Sequence, residues 1–522
     1  MKRGPWAAET VALVMVTALV TGPVLGRLVA SLLASLATDP GVFAQVGIGR
    51  LGSSLLAAVV IGSFSVLIGA PAGLAARGWR GVRLGLLLMP TLLPSFLVYA
   101  GWNLARAPGT PIGDGLLRMA ADGERWAPQR AGEVLAVLGL GVWASPIAAL
   151  IVAFGANSVG RDVFDSLASD AGPIRRWLET LSIVRGSIVL AFALVVVLML
   201  GSAVPLHVAQ MPTIANGVWL ELAQRAPGDQ AGAWVTAWPV ILAACLAAWL
   251  VSGQLTAQPA ASERLAPETP RGGGFIATAV MLTLGVLVPF GLFAWDLGSL
   301  APLGRFWTES GSALGSSLGV SALGAAMLAP VPSLVGATLA RSPMQGRACV
   351  ALLVLMSLMP GVLIGSALVE LRAEVESVLG QRFAFGPLPG ALGLAARHAG
   401  LAALLGVMLF RADASALRDL RSLESPRSIP GRLGLWFRAT LPMQLPLITS
   451  GLIAILFLGL HEIESSVLLR PPGSGNLAAK LLADLHYQRV SMLSAASITL
   501  IGLGGALLGL LVGVGHVLKP WR

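Results

Sequence analysis

Apolar segments of about 20 residues alternate with short polar segments along the whole chain. Each apolar segment is long enough to cross the roughly 30 Å hydrocarbon core of a bilayer as an α-helix. We therefore predict an all-α membrane protein with about twelve transmembrane helices. Their approximate limits are 10–33, 53–76, 84–102, 132–155, 186–205, 234–252, 275–297, 315–340, 347–369, 388–410, 446–469 and 491–517.

The composition supports a membrane protein. The chain is 56% hydrophobic and only 11% charged, whereas soluble domains carry about 25% charged residues. The net charge of +10 comes from basic residues scattered between the apolar segments. This pattern is typical of membrane orientation and does not indicate nucleic-acid binding. Cys245 and Cys349 lie inside apolar segments, so neither a disulfide framework nor a metal cluster is predicted.

The basic residues also predict the orientation of the chain. Lys2 and Arg3 precede an apolar run without a clear cleavage site, which favours a first transmembrane helix over a signal peptide. With twelve spans both termini share one side, and a cytoplasmic placement puts 21 of the 35 Lys and Arg residues in inner segments. We expect a multi-pass protein of the bacterial inner (plasma) membrane with both termini cytoplasmic.

The sequence indicates two halves joined by a linker. Residues 253–274 are rich in Pro, Gly, Ser and charge, as expected of a flexible cytoplasmic linker. They separate a first six-helix permease-like half, residues 1–252, from a second, residues 275–522. Each half has an even number of predicted spans, so both copies would have the same orientation.

Short features of the first half recur in order in the second. Leu-Gly-Ser-Ser-Leu occupies residues 51–55 and again 314–318, and the next span carries a mid-helix proline, Pro94 or Pro360. The offsets are 263 and 266 residues. We predict two parallel six-helix repeats related by an axis along the membrane normal. The prolines either kink gate helices or are ordinary tolerated kinks.

Two predicted cytoplasmic loops, residues 161–188 and 411–448, share one construction. Each has a short helical pattern, a break at Gly172-Pro173 or Pro430-Gly431, and an arginine-bearing amphipathic stretch that returns to the membrane. For either loop taken alone, the alternative is an ordinary interfacial loop. The same construction at equivalent places in both halves favours paired docking elements.

These loops resemble the coupling loop of bacterial ABC-importer permeases, which has an acid-Ala-Ala triplet, a later glycine and a closing Leu-Pro. In the second half Glu424 stands for the acid, Pro430-Gly431 for the glycine break, and Pro442 ends the closing "ATLP". In the first half Ser166 occupies the acid position, Gly172 fits the glycine, and "LSIV" replaces the close. The resemblance implies a type I ABC-importer permease fold. It also implies that each loop docks on one ATP-binding cassette subunit.

A second resemblance is carried by "GLHEIESSVLLRPPGSGNLAAKLLADLHYQ", residues 459–488. This stretch is similar to the segment after the second coupling loop in fused permeases of the iron(III) importer group, where a glutamate precedes "SxLLRPPG" and "LLHYG" follows. The resemblance implies import of a small solute delivered by an extracytoplasmic substrate-binding protein. It favours iron(III) or an iron chelate, although thiamine and phosphonate importers belong to the same group.

The chain itself carries no predicted ATPase site. A P-loop requires Gly-Lys followed by Ser or Thr, and Lys2, Lys480 and Lys519 follow Met, Ala and Leu. No catalytic cluster, cofactor site or metal site is predicted, so a membrane enzyme is disfavoured. The expected partners are two ATP-binding cassette subunits, the substrate-binding protein and the lipid bilayer, with no nucleic acid. The alternative is an ion-coupled secondary transporter, which should carry acids deep in several spans.

Glu462 and Glu464 lie near the end of the eleventh apolar segment, beside Ser465. Acids inside apolar spans are costly and normally face a cavity or a partner, so these residues could line the translocation path or an outer gate. Alternatively, they are solvated at the outer interface or paired with Arg470. On a regular helix residues two apart diverge by about 200°, so both side chains should not face one lumen.

Two further residues of this region carry structural predictions. His461 is expected to be a hydrogen-bonded packing residue, because it is the single histidine of its span. Asn476 is expected to cap a short helix whose leucines share one face, lying along the outer surface. The two prolines Pro471-Pro472 should end the preceding helix, because proline removes a backbone donor and fixes φ.

Overall fold

The computed structural model describes residues 8–38, 48–77, 82–157, 159, 163–164, 166–167, 172–224, 231–257, 273–412, 441–471 and 473–517. All regular structure within these ranges is helical, so the all-α prediction is confirmed. The helices up to residue 257 are α1 (Ala8–Thr38), α2 (Ile48–Ala75), α3 (Val82–Leu88), α4 (Ser95–Leu104), α5 (Pro111–Ala121), α6 (Ala127–Ala156), α7 (Pro173–Ile183), α8 (Arg185–Leu200), α9 (Val204–Val208), α10 (Ile214–Gln224), α11 (Ala231–Thr236) and α12 (Trp238–Ala257).

The structure describes thirteen α-helices from residue 273 onward. They are α13 (Gly273–Leu282), α14 (Val288–Leu297), α15 (Ala301–Leu328), α16 (Val331–Arg341), α17 (Pro343–Leu358), α18 (Gly361–Glu370), α19 (Arg372–Leu379), α20 (Gln381–Ala384), α21 (Pro387–Ala412), α22 (Leu441–Gly459), α23 (Glu464–Leu469), α24 (Leu477–His486) and α25 (Val490–Val517). A 3₁₀ turn (Met89–Leu92) joins α3 to the break before α4, and a π-helical turn (Thr283–Leu287) joins α13 to α14.

The described helices fit a multi-pass membrane protein. Eight of them, within the ranges given above, are long and apolar enough to cross a membrane, and the number rises to eleven if each of three bent pairs is one span. The predicted segment 446–469 coincides with the shorter apolar helix α22, which ends at Gly459. The prediction of one continuous span up to residue 469 is therefore wrong. The exact count of twelve stays a prediction.

The structure places a break at both mid-span prolines. Pro94 precedes α4 with φ −54° and ψ 135°, and Pro360 precedes α18 with φ −53° and ψ 129°. These extended backbone conformations end the preceding helix and start a new one at an angle. The two pairs bend by 76° and 98° respectively. Pro94 and Pro360 therefore mark sharp discontinuities in the middle of their apolar segments.

The first helix of each half packs against the other half. Helix α1 lies against α16 and α17, whereas α13 lies against α2. Ion pairs hold α1 at its start and again in its second half, because Glu9 pairs with Arg341 and Arg27 pairs with Glu370 at 2.9 Å. The buried core is also continuous across the halves and includes residues such as Ile61 and Leu353.

The repeated Leu-Gly-Ser-Ser-Leu motif makes the same long-range contact twice. The Ser54 hydroxyl accepts a hydrogen bond of 2.8 Å from the backbone N–H of Ile214, the first residue of α10. The Ser317 hydroxyl accepts one of 2.9 Å from Leu477, the first residue of α24. Both donor and acceptor are displaced by 263 residues between the halves. Each serine satisfies one of the free N–H groups at a helix start.

Candidate functional site

Three breaks in apolar helices meet inside the protein. They follow Leu200 at the end of α8, Leu358 at the end of α17, and Gly459 at the end of α22. A Cβ atom on Gly201 would lie 3.2 Å from the carbonyl oxygen of Leu358, so the first two breaks touch through backbone. Broken helices leave backbone donors and acceptors without intrahelical partners, and these need other partners when buried.

Glu464 supplies acceptors to both neighbouring breaks. Its side chain is 5% exposed. One carboxylate oxygen accepts from the N–H of Ala203 at 2.6 Å and of Val204 at 3.4 Å, and the other accepts from Gly361 at 3.0 Å. These donors lie at the starts of α9 and α18, where free N–H groups favour a negative charge. One carboxylate thus links a helix of the first half to a helix of the second.

Glu462 lies beside Glu464 and binds different groups. One of its carboxylate oxygens accepts from the backbone N–H of Ser465 at 2.7 Å and from the Ser465 hydroxyl at 3.1 Å. The other lies 3.6 Å from the Nε of Arg397, on helix α21. Arg397 also donates to the carbonyl oxygens of Met359 and, at 3.1 Å, of Ser357. The arginine therefore neutralises Glu462 and satisfies carbonyls that the Pro360 break leaves free.

Both acids reach the same glycine, contrary to the expectation that they diverge. The chain from Leu460 to Glu462 closes tight turns after α22, with N–H groups bonded three residues back. Glu462 therefore precedes α23 and is not on a regular helix with Glu464. A Cβ atom on Gly361 would lie 2.7 Å from Oε1 of Glu462 and 3.0 Å from Oε2 of Glu464. Only glycine lets the two carboxylates approach α18 so closely.

The two alternatives for these acids are wrong. Glu462 and Glu464 are buried, so they are not solvated at an interface. Arg470 is exposed, and the basic partner of Glu462 is Arg397. Since a buried charge without a partner is costly, the arrangement of Arg397 with the two acids keeps the net charge of this site low.

Two histidines border this cluster. The ring of His461 packs edge-on against Phe457, with centroids 4.6 Å apart. Its Nε2 and that of His398 on α21 are buried and have no hydrogen-bond partner within the described residues. His461 therefore packs against a neighbouring ring, but the hydrogen bond predicted for it is not found at Nε2. We name Arg397, His398, His461, Glu462, Glu464 and Ser465 the central polar cluster.

The structure describes only part of the predicted coupling loops. Ser166 is exposed and its hydroxyl donates to the carbonyl of Val163 at 3.0 Å. Gly172 is the N-cap of α7 and Pro173 its first residue, so the predicted break begins a helix. Pro442 is the second residue of α22. The remaining predicted residues, Glu424, Pro430 and Gly431, lie outside the described residues.

Asn476 caps α24 as predicted. Its side-chain oxygen accepts from the N–H of Ala479 at 3.0 Å. Leu477 and Leu481 on α24 are buried against the apolar part of α25, including Leu493. This helix therefore packs on the protein itself.

Sequence reasoning missed Arg397 and Gly361. A signal for Arg397 was present, because an arginine inside an apolar span normally faces a buried acid or backbone carbonyls. Gly361 carried no such signal, since its role follows from side chains about 100 residues away in the chain.

No protein-family model matches the chain, and no curated protein or solved structure matches it either.

Proposed function

We propose that this chain is the fused permease subunit of an ATP-driven ABC importer that moves a small solute into the cytoplasm. The observation that carries the proposal is the joint at Glu464, where one buried carboxylate bonds helix starts from both halves. Alternating access requires two units that move against each other around a central site. In this proposal the joint would open and close as the two halves move.

The internal correspondence of the halves supports two parallel six-helix repeats. Ser54 and Ser317 make equivalent hydrogen bonds, and Pro94 and Pro360 break equivalent segments with nearly equal backbone angles. The crossed packing of α1 and α13 would let a movement of one half pull on the other. In this proposal Pro94 and Pro360 start the gate helices.

Helix α7 supports docking of an ATP-binding cassette subunit. It follows the Gly172-Pro173 break and bends by 65° into α8, so a push on α7 would act on a span. Ile174, Trp177 and Leu178 are 77%, 42% and 60% exposed on this short helix. Apolar side chains exposed beyond the membrane segments favour contact with a partner protein. The loop carrying Glu424 would dock a second subunit.

The substrate class is proposed from the similarity of residues 459–488 to iron(III) permeases. Ferric iron prefers hard oxygen ligands. The carboxylates of Glu462 and Glu464 are such oxygen donors, but they are bonded to other groups of the protein. The described residues hold no group of three or more His, Cys, Asp or Glu that could bind a metal ion. Iron(III) or an iron chelate delivered by an extracytoplasmic binding protein is the proposed cargo.

A second candidate is an ion-coupled secondary transporter. The central polar cluster favours it, because its two acids are buried at helix breaks and the Nε2 atoms of its two histidines are buried beside them. Titratable groups at such positions carry protons in many carriers. Such a carrier would work without ATP-binding partners.

The two candidates are separated by purification of the full chain from detergent-solubilised membranes, followed by a search for a co-purifying ATP-binding subunit. We expect an ATP-binding subunit to co-purify. Its recovery should fall when residues 424–431 are replaced by a Gly/Ser linker. It should also fall in the double variant Trp177→Ala with Leu178→Ala on α7. A matched control replaces exposed Ile112 and Leu117 on α5 by alanine. Absence of an ATPase under conditions that preserve a known complex, together with uptake driven by an ion gradient, would overturn the importer proposal.

A further inference from the structure

Two histidines from opposite halves meet away from the central polar cluster. His207 lies on α9, and His486 is the last residue of α24. Their ring centroids are 6.1 Å apart, and both side chains are exposed. With Zn–N bonds of about 2.0–2.1 Å, a cation held by one nitrogen of each ring would place the centroids roughly 5 to 6.5 Å apart. The observed separation lies between the value for two ligands at the tetrahedral angle, about 5 Å, and the value for two opposite ligands, about 6.5 Å.

The ring of His486 is already oriented through one nitrogen. The Nδ1 of His486 lies 2.8 Å from the carbonyl oxygen of Leu482, which fixes Nδ1 as the protonated nitrogen and leaves Nε2 as a free acceptor. Metal-binding histidines are typically held in this way, with the second nitrogen bonded to a carbonyl or similar group.

The charge state also suits metal binding. Partial desolvation of the ring, together with the nearby ring of His486, lowers the pKa of His207 below its usual value. A lowered pKa favours the neutral ring, which is the form that binds a metal. The closest arginine in sequence, Arg489, lies 3.6 Å from the carboxylate of Asp484, which offsets its positive charge.

We propose that His207 and His486 form a binding site for a borderline divalent cation such as Zn²⁺, Ni²⁺ or Cu²⁺ that bridges the two halves. Imidazole nitrogens suit these ions. Two protein ligands leave the other coordination positions to water, so the site would bind reversibly and more weakly than a site with four protein ligands. This proposal does not depend on how transport is driven.

A cation at this site would act on the joint at Glu464. Helix α9 is five residues long, and its start is bonded to Glu464 of the second half. A cation on His207 and His486 would tie the other end of α9 to the second half as well. Both ends would then be fixed, and the two halves would be held in the arrangement of this structure. Bound cation is therefore expected to stabilise the protein and to slow its conformational change.

The test titrates Zn²⁺ and Ni²⁺ into the purified full chain, carrying an affinity tag without histidine, by calorimetry and by thermal unfolding. We expect one ion per chain, a higher unfolding temperature with ion, and at least tenfold weaker binding in His207→Ala and in His486→Gln. Both side chains are exposed, so the variants should fold, and unchanged unfolding without ion verifies this.

The matched control is His516→Ala. His516 lies 26 residues beyond Val490 on α25, roughly 40 Å along that helix at 1.5 Å per residue. Its removal should leave the binding unchanged. Binding that survives in either His207→Ala or His486→Gln, or that is lost equally in His516→Ala, would overturn the proposal.

Discussion

Trp143 and Arg397 serve the same purpose in the two halves. Each donates a hydrogen bond to the carbonyl of the residue before a helix-breaking proline: Trp143 Nε1 to Leu93 at 2.8 Å, and Arg397 Nη1 to Met359. The break removes the usual helical partner of that carbonyl. A neutral indole is sufficient in the first half. The arginine of the second half brings a charge, which Glu462 neutralises at 3.6 Å.

Arg397→Leu should destabilise the protein strongly. The change leaves Glu462 buried without a basic partner and leaves the carbonyl of Met359 without a donor. Removing one member of a buried ion pair typically costs about 3–5 kcal/mol. Thermal unfolding in detergent measures the loss.

The first half provides the matched control, since Trp143→Phe removes a neutral donor only and should cost about 1 kcal/mol. The pair Arg397→Trp with Glu462→Gln copies the first half and should recover much of the loss. Equal effects of Trp143→Phe and Arg397→Leu would contradict the role given to the charge.

Glu464→Ala should weaken the link between the halves. The N–H groups of Ala203 and Gly361 lose their acceptor in a buried place, and hydrogen bonds to charged groups contribute about 1.5–3 kcal/mol each. We expect a clear fall in the unfolding temperature and faster proton exchange at the backbone of residues 203–204 and 361, measured by hydrogen–deuterium exchange. Glu309→Gln is the control, because Glu309 is exposed and pairs with Lys480 at 3.6 Å. Such a surface pair contributes about 0–1 kcal/mol.

Gly361→Ala tests the close approach of the two acids. The new methyl group would lie 2.7 Å from Oε1 of Glu462 and 2.8 Å from Cβ of Glu464, so the carboxylates must move. Overpacking of this kind costs about 1–3 kcal/mol, and transport should fall with stability. Gly319→Ala on α15 is matched to it, since no atom lies within 4 Å of the added methyl group. A Gly361→Ala protein as stable as the Gly319→Ala protein would show that the acids do not depend on this glycine.

Local signals in the sequence were sufficient for some of these features. The position of Asn476 before a leucine-rich run was enough to predict that it caps α24, because capping involves residues only three positions apart. Pro94 and Pro360 predicted disturbances in their spans, because proline acts on its own backbone. The all-α fold followed from the length of the apolar segments.

The central polar cluster could not be predicted in the same way. His461, Glu462 and Glu464 make the sequence after α22 visibly polar, but polar residues near the end of an apolar segment do not reveal that the helix breaks at Leu460. The break is stabilised by tertiary contacts, in which Glu464 bonds residues about 260 and 100 positions away. A regular helix was therefore assumed, and the two acids were expected to diverge. Periodicity reports local geometry and carries no information on such distant partners.

The repeat itself can be tested with two equivalent serines. Ser54→Ala and Ser317→Ala each leave the first N–H of a helix, at Ile214 or Leu477, without its hydroxyl acceptor. Leaving a buried donor unsatisfied costs about 1–3 kcal/mol. If the halves are equivalent copies, the two losses of unfolding free energy should agree within about 0.5 kcal/mol and should add in the double variant, since distant sites are additive to that extent. Ser316→Ala, next to Ser317 and partly exposed, should change little. A large loss in one half and none in the other would mean that the motif is repeated in sequence but not in structural role.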